Sequence, residues 1–209
     1  MSDHSFKLMF FNYWRVIDKK IFFCFIILFF LGLFFSFSST SFLAGERLNK
    51  DYYFFFSKHL IFAIFALLIM VIISTWDTIF LNKIIIPLFV IFFIFLALVP
   101  FFGVEVKGAK RWLDFYYFRL QPIELLKPFF ILTTVKILTF EKFKSSRVKY
   151  ILSFLLLSSV IILLIDQPDL GQSISLAGSW VATVFISGVN LFYILGFFLI
   201  FLISFSSLL

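Results

Sequence analysis

The chain is poor in the residues from which most metal sites, disulfides and catalytic triads are built. Its 209 residues include one cysteine, Cys24, and two histidines, His4 and His59. A lone cysteine excludes a disulfide within the chain, and neither histidine has a partner at metal-ligand spacing. Walker, Rossmann and nucleophile-triad patterns are also missing from the sequence. The common nucleotide-binding and zinc-dependent chemistries are therefore excluded, so no metal is assigned and no cofactor is identified.

Charged residues are scarce as well. They make up 14% of the chain, whereas hydrophobic residues make up 63%, against roughly 45–50% in soluble domains. This composition predicts an all-α, polytopic transmembrane helix bundle, with residues 1–209 forming a single membrane domain. The formal net charge is +7, but the basic residues lie in short segments between apolar runs. Anionic lipid and membrane topology explain that charge better than nucleic acid does.

Apolar runs of about the length that a bilayer core requires recur along the chain. The first run is too long for the apolar region of a cleaved signal peptide, so we interpret it as a retained span. The seven predicted spans are Ile21–Gly45, 54–76, 84–104, 121–140, 149–165, 169–189 and 191–209.

The distribution of basic residues predicts the orientation of these spans. Lysine and arginine are concentrated before the first span and within Glu141–Lys149, so the N-terminus is predicted to be cytoplasmic. The parity of the spans then places Lys107–Arg119 on the outer side. Positive charge on the outer side opposes the preference of inserting membrane proteins to keep lysine and arginine in the cytoplasm. We therefore interpret these basic residues as a group that binds an anion at the outer face. A solvated loop that the insertion machinery tolerates is the alternative.

One stretch, Gly108–Lys127, places charged and aromatic side chains beside an apolar run. Its pattern predicts a loop that enters a helix near Pro122, with Gln121 as the cap and Glu124 as a capping-box carboxylate. Lys127 then lies about one and a half turns inside the helix, three residues from Glu124. Either these two charged groups form a functional site, or Glu124 only caps the helix and Lys127 snorkels to the surface.

A second stretch, Asp166–Gly171, again has a Gln-Pro pair followed by an acidic residue at another predicted helix start, at Pro168. In the predicted orientation both helix starts face outward. Two helix N-termini beside several cations form a suitable site for phosphate, because unpaired backbone N–H groups and the helix dipole attract anions.

Two kinds of residue near this site have more than one interpretation. Asp166 and Asp169 either counter the positive charges, bind a divalent ion or cap the following helix. Trp112 either anchors the loop at the membrane interface or stacks on a sugar of the substrate.

The two stretches, in this order, resemble the SEDS polymerases, the family of FtsW and RodA. The signatures of this family are similar to GARRW, QPSELAK and QPDLGT. The chain resembles the FtsW branch more closely than the RodA branch. The resemblance implies a multi-pass protein of the bacterial inner membrane with about ten helices. It implies a peptidoglycan glycosyltransferase that polymerises lipid II into undecaprenyl pyrophosphate-linked glycan at the division septum. A class B penicillin-binding transpeptidase and other divisome proteins are the implied partners.

The resemblance also implies which residues bind substrate. Those positions are Arg111, Trp112, Arg119, Gln121, Glu124, Lys127, Gln167 and Asp169, and the signatures further include Pro122, Pro168 and Gly171. The departures of the chain from the family pattern include Ile123 in place of a serine, Gln172 in place of a threonine, and Lys107 in place of the asparagine before Gly108. These changes keep the charged framework and alter the finer contacts to substrate.

A larger departure concerns catalysis. The family's catalytic aspartate is attributed to a later external loop similar to PExHTDFIF, and no such segment occurs before Leu209. We therefore expect this chain to be an N-terminal portion of the family fold and inactive by itself. A lipid II flippase, which would use the same charged residues, is one alternative function. A division scaffold that recruits the transpeptidase without chemistry is another.

Overall fold

The computed structural model describes residues 14, 17–48, 53–106, 108–116, 118–143, 145–189 and 196, with the backbone alone for 39–48. These residues belong to two compact units, Met1–Asp77 and Thr78–Leu209. The predicted span at 191–209, apart from residue 196, lies outside the described residues. So do His4, Lys107 and the first part of the basic N-terminal cluster.

The first unit contains two long apolar helices, α1 (Lys19–Leu48) and α2 (Phe54–Ser74). The start of α1 is fixed by Asp18, whose carboxylate accepts hydrogen bonds from the backbone N–H groups of Lys20 at 2.9 Å and Ile21 at 3.3 Å. This is the usual action of an aspartate at the N-cap. No described side chain of α2 is buried within the chain, as expected for a helix whose apolar surface faces lipid.

The second unit is built around four helices: α3 (Thr78–Phe102), α4 (Pro122–Thr139), α5 (Ser146–Asp166) and α6 (Leu170–Ile186). Helix α4 packs against the other three. Large aliphatic and aromatic side chains from all four helices fill the space between them and exclude solvent. The core residues include Phe89, Leu96, Leu126, Phe130, Val160, Leu164, Leu176 and Trp180.

A small antiparallel sheet lies between α3 and α4 in the chain. Its strands are β1 (Val104–Val106), β2 (Ala109–Asp114) and β3 (Arg119–Leu120), in that order. The turn between β1 and β2 contains Gly108 with φ +81°, a conformation that glycine adopts without steric cost. The prediction of a loop over this stretch was therefore wrong, and the fold is mostly helical with a short sheet.

Four described helices are long and apolar enough to cross a membrane: α1 through its Lys19–Ser38 part, α2, α3 and α5. Helix α6 is apolar but has 17 residues, and α4 carries Glu124, Lys127 and Lys136. The multi-pass helical architecture is confirmed, whereas the number of seven spans stays a prediction.

Candidate anion-binding site

Two helices that pack against each other start close to the site predicted from the sequence. Helix α4 begins at Pro122 as expected, with Gln121 at the N-cap position. Helix α6 begins at Leu170, two residues after the predicted start at Pro168. Proline suits the first helical position because its fixed φ is helical and its missing N–H is not needed there.

The two caps differ from each other. The Asp169 carboxylate accepts a hydrogen bond from the backbone N–H of Gln172 at 3.5 Å, which confirms aspartate capping of α6. The Gln121 side chain makes no cap hydrogen bond; its amide donates instead to the Asp169 carboxylate at 3.3 Å. Glu124 likewise does not form the expected capping box, because its carboxylate is bound by Lys127 and Gln172. These two expectations were wrong because long-range partners compete with the local backbone.

Arg111 connects the sheet to the turn between α5 and α6. Its guanidinium donates from Nε to the backbone carbonyl of Gln167 at 3.3 Å and from Nη2 to that of Pro168. The same Nε lies 3.8 Å from the Asp169 carboxylate. Asp169 is buried and Arg111 is about one-third exposed, so the arginine compensates a desolvated carboxylate while part of its fork still reaches solvent.

Gln167 satisfies a backbone group that a proline has left without a partner. Its side-chain amide donates to the carbonyl of Leu96 in α3 at 3.1 Å, and the side chain is buried. In a regular helix the N–H four residues later would bind that carbonyl, but this residue is Pro100, which has no N–H. The glutamine thus fixes the α5–α6 turn against α3.

A second polar group lies between α4 and α6. Lys127 pairs with Glu124 at 2.8 Å and also donates to the side-chain oxygen of Gln172 at 2.9 Å. The amide nitrogen of Gln172 donates to the other Glu124 oxygen at 2.6 Å. Lys127 is less exposed than Glu124, at 24% against 49%. Three side chains therefore form a closed ring, with the lysine on its inner side.

Gln172 joins the two polar groups, because its backbone N–H binds Asp169 and its side chain binds Glu124 and Lys127. The result is one network at the N-terminal ends of α4 and α6, with two cations, Arg111 and Lys127, that are partly accessible. Such an arrangement can bind a phosphate or pyrophosphate group by charge-assisted hydrogen bonds.

Six of the eight sequence-predicted site residues meet in this network, and two lie apart from it. Arg119 pairs with Asp114 at 3.1 Å across β2 and β3 and is 57% exposed. Trp112 is half-buried in β2, opposite Val104. Within the described residues neither makes a hydrogen bond to the network, and their roles toward substrate stay predictions.

Two features of the site were not identified from the sequence. Gln172 was noted as a departure from a signature, although its position three residues after Asp169 places both on one helix face. Asp114, the partner of Arg119, was not singled out. The described part of the chain contains no group of three or more metal-ligating side chains, and a divalent ion at the aspartates stays a prediction.

Comparison with known proteins gives consistent matches. The FTSW_RODA_SPOVE family model, described as a cell cycle protein, matches residues 18–209. A relative from Cyanophora paradoxa named peptidoglycan glycosyltransferase FtsW is 33% identical over 69% of this chain and 36% of its own length. One of the same name from Caulobacter vibrioides is 31% identical over 88% of this chain and 47% of its own length. The chain therefore spans less than half the length of these curated relatives.

Solved structures match the fold as well. The crystal structure of the rod shape determining protein RodA from Thermus thermophilus superposes with a TM-score of 0.63 at 28% identity, covering 82% of this chain and 58% of RodA. A chain from a peptidoglycan synthase complex superposes with a TM-score of 0.68 at 24% identity, covering 86% of this chain and 52% of that one. The second match supports the fold alone.

Proposed function

Since this chain belongs to the FTSW_RODA_SPOVE family of cell cycle proteins, we propose that its protein is a peptidoglycan glycosyltransferase that polymerises lipid II during cell division. The observation that carries the proposal is the network at the starts of α4 and α6, which presents Arg111 and Lys127 beside two helix N-termini. Lipid II carries a pyrophosphate between its sugar and its lipid, and this is the group that such a site binds.

The proposed chemistry is the transfer of a glycan from one pyrophosphate to the hydroxyl of another sugar. The hydroxyl oxygen forms a bond to the anomeric carbon, the bond from that carbon to the pyrophosphate oxygen breaks, and the hydroxyl proton leaves to a base. Negative charge grows on the pyrophosphate as it departs. Arg111 and Lys127 stabilise that charge by hydrogen bonds that strengthen in the transition state. The base is not assigned to a residue of this chain.

We further propose that the protein acts in the bacterial inner membrane at the septum, with its N-terminus in the cytoplasm. Its partners are a class B penicillin-binding transpeptidase and other divisome proteins, and its product is undecaprenyl pyrophosphate-linked glycan. The resemblance of the signatures supports these assignments.

The test compares two lysines on the same helix. The protein expressed from its complete coding sequence is reconstituted with labelled lipid II, and glycan length and headgroup translocation are measured together. Lys127→Met should lower polymerisation by about 10²–10³, as the loss of one oxyanion donor typically does. The control is Lys136→Met, because Lys136 donates to the Asn82 carbonyl near the other end of α4.

Two results would contradict the proposal. The first is translocation of lipid II headgroups by the wild type without any glycan product, which would identify a flippase. The second is an equal effect of Lys127→Met and Lys136→Met at normal protein abundance, which would remove the special role of the cation at the helix start.

A further inference from the structure

Gln172 is placed to control where the Lys127 ammonium points. Its side-chain oxygen accepts from the lysine at 2.9 Å, and its side-chain nitrogen donates to Glu124 at 2.6 Å. Because the lysine also pairs with Glu124 at 2.8 Å, the ring holds two of the three ammonium hydrogens. We propose that Gln172 is a positioning residue that directs the remaining N–H of Lys127 toward the phosphate group of the substrate, a role that rests on the proposed function.

The chemistry of the amide explains why a glutamine suits this position. A carboxamide carries one acceptor and one donor group at the same end of the side chain, so it binds an ammonium and a carboxylate at once without adding charge. A second carboxylate here would repel Glu124 and neutralise the lysine. Threonine, which stands at this position in the signature that the chain resembles, has a hydroxyl two bonds closer to the backbone and therefore a shorter reach.

The geometry also determines which side chains of the ring are held more firmly than the others. The backbone N–H of Gln172 is bound by Asp169, which is buried and contacts Gln121 and Arg111. Gln172 is thereby attached to the less exposed half of the network, whereas Glu124 is about half exposed. An exposed ion pair by itself fixes a lysine weakly, because solvent screens the attraction and the long side chains keep their freedom. The contact to Gln172 supplies the orientation that the ion pair lacks.

The experiment measures the lysine directly. The wild type and Gln172→Met are acylated briefly at their amines in lipid nanodiscs, and mass spectrometry gives the labelling of Lys127 relative to Lys136. Gln172→Met keeps the length of the side chain and removes both hydrogen bonds. Labelling of Lys127 should rise about fivefold, the equivalent of about 1 kcal/mol for one lost hydrogen bond. Inorganic pyrophosphate should protect Lys127 in the wild type and less in the variant.

A second arm measures polymerisation by the protein expressed from its complete coding sequence. Gln172→Met should lower kcat about fivefold with an unchanged melting midpoint, and Gln172→Glu should lower it further. Ile174→Met is the matched control, because Ile174 lies on the same helix and is 69% exposed. It should leave the labelling ratio and kcat unchanged.

The outcomes separate this role from the proposed function. An unchanged labelling ratio in Gln172→Met overturns the positioning role, and so does raised labelling with an unchanged kcat. A third outcome is that the wild type forms no glycan while Lys127 is more reactive in Gln172→Met. That outcome contradicts the proposed function and supports the control of Lys127 by Gln172.

Discussion

Replacing Gln167 by leucine should destabilise the helix bundle through a backbone group on another helix. The Leu96 carbonyl in α3 receives its hydrogen bond from the Gln167 amide at 3.1 Å. Pro100 cannot donate to that carbonyl, since proline lacks the N–H that would close the helical hydrogen bond. The leucine side chain has about the volume of glutamine and offers no donor, so the substitution removes the partner of a buried carbonyl.

The structure sets the size of this effect. Gln167 is 3% exposed and Leu96 is fully buried, so water does not replace the lost bond. A buried carbonyl left without a partner costs about 1–3 kcal/mol. Burial of leucine in place of a polar amide recovers part of that cost, and we expect a net loss of about 1–2 kcal/mol in the free energy of unfolding.

A double-mutant cycle isolates the cause. Pro100→Ala restores a backbone N–H four residues after Leu96, so in that background the carbonyl has a helical donor and Gln167→Leu should cost less than half as much. Unfolding is followed in mixed micelles by circular dichroism as the fraction of denaturing detergent rises. Equal costs of Gln167→Leu in the two backgrounds would refute the reasoning, since the coupling energy would then be zero.

Three further predictions follow. Single cysteines introduced at the exposed positions Glu105 and Ser145 should react with an impermeant reagent from opposite faces of the membrane, with Glu105→Cys labelled from outside. Labelling of both cysteines from one face would contradict the predicted topology. Gly103→Ala should lower the free energy of unfolding by about 2 kcal/mol, because the alanine Cβ would lie 2.4 Å from the backbone oxygen of Val99. An unchanged denaturation midpoint would show that the end of helix α3 adjusts freely. Glu124→Gln should tighten the binding of inorganic pyrophosphate about fivefold, measured by calorimetry, because a negative charge beside the ligand is removed; weaker binding would count against the site.

The sequence predicted the parts of this structure that depend on local chemistry. The long apolar runs predicted the apolar helices α1, α2, α3 and α5, because an α-helix satisfies all the backbone hydrogen bonds of a roughly 20-residue apolar segment within that segment, as lipid requires. Pro122 marked the start of α4 and Asp169 the cap of α6, since both effects act within one turn of the helix.

The parts that were missed depend on contacts between distant segments. The strands of the sheet are three, six and two residues long, too short for an alternating pattern to be evident. Gln121 and Asp169 are 48 residues apart, and no spacing rule relates their side chains. A local pattern therefore assigned Gln121 to a cap, whereas the folded chain offers its amide a buried carboxylate.

The charges of the network indicate which of its residues must respond to an anion. Arg111 and Lys127 contribute +2, and Asp169 and Glu124 contribute −2, so the network is neutral before a ligand enters. In the proposed function, attraction for pyrophosphate then comes from the helix N-termini and from local separation of charge. Asp169 is held by its burial, by Gln121 and by capping of α6, and it cannot withdraw without leaving those donors unpaired. Glu124 is about half exposed and can rotate into solvent at little cost. In the proposed function, the phosphate meets the N–H of Lys127 that Gln172 and Glu124 leave for it, and Glu124 is the carboxylate of the network that can yield to the added negative charge.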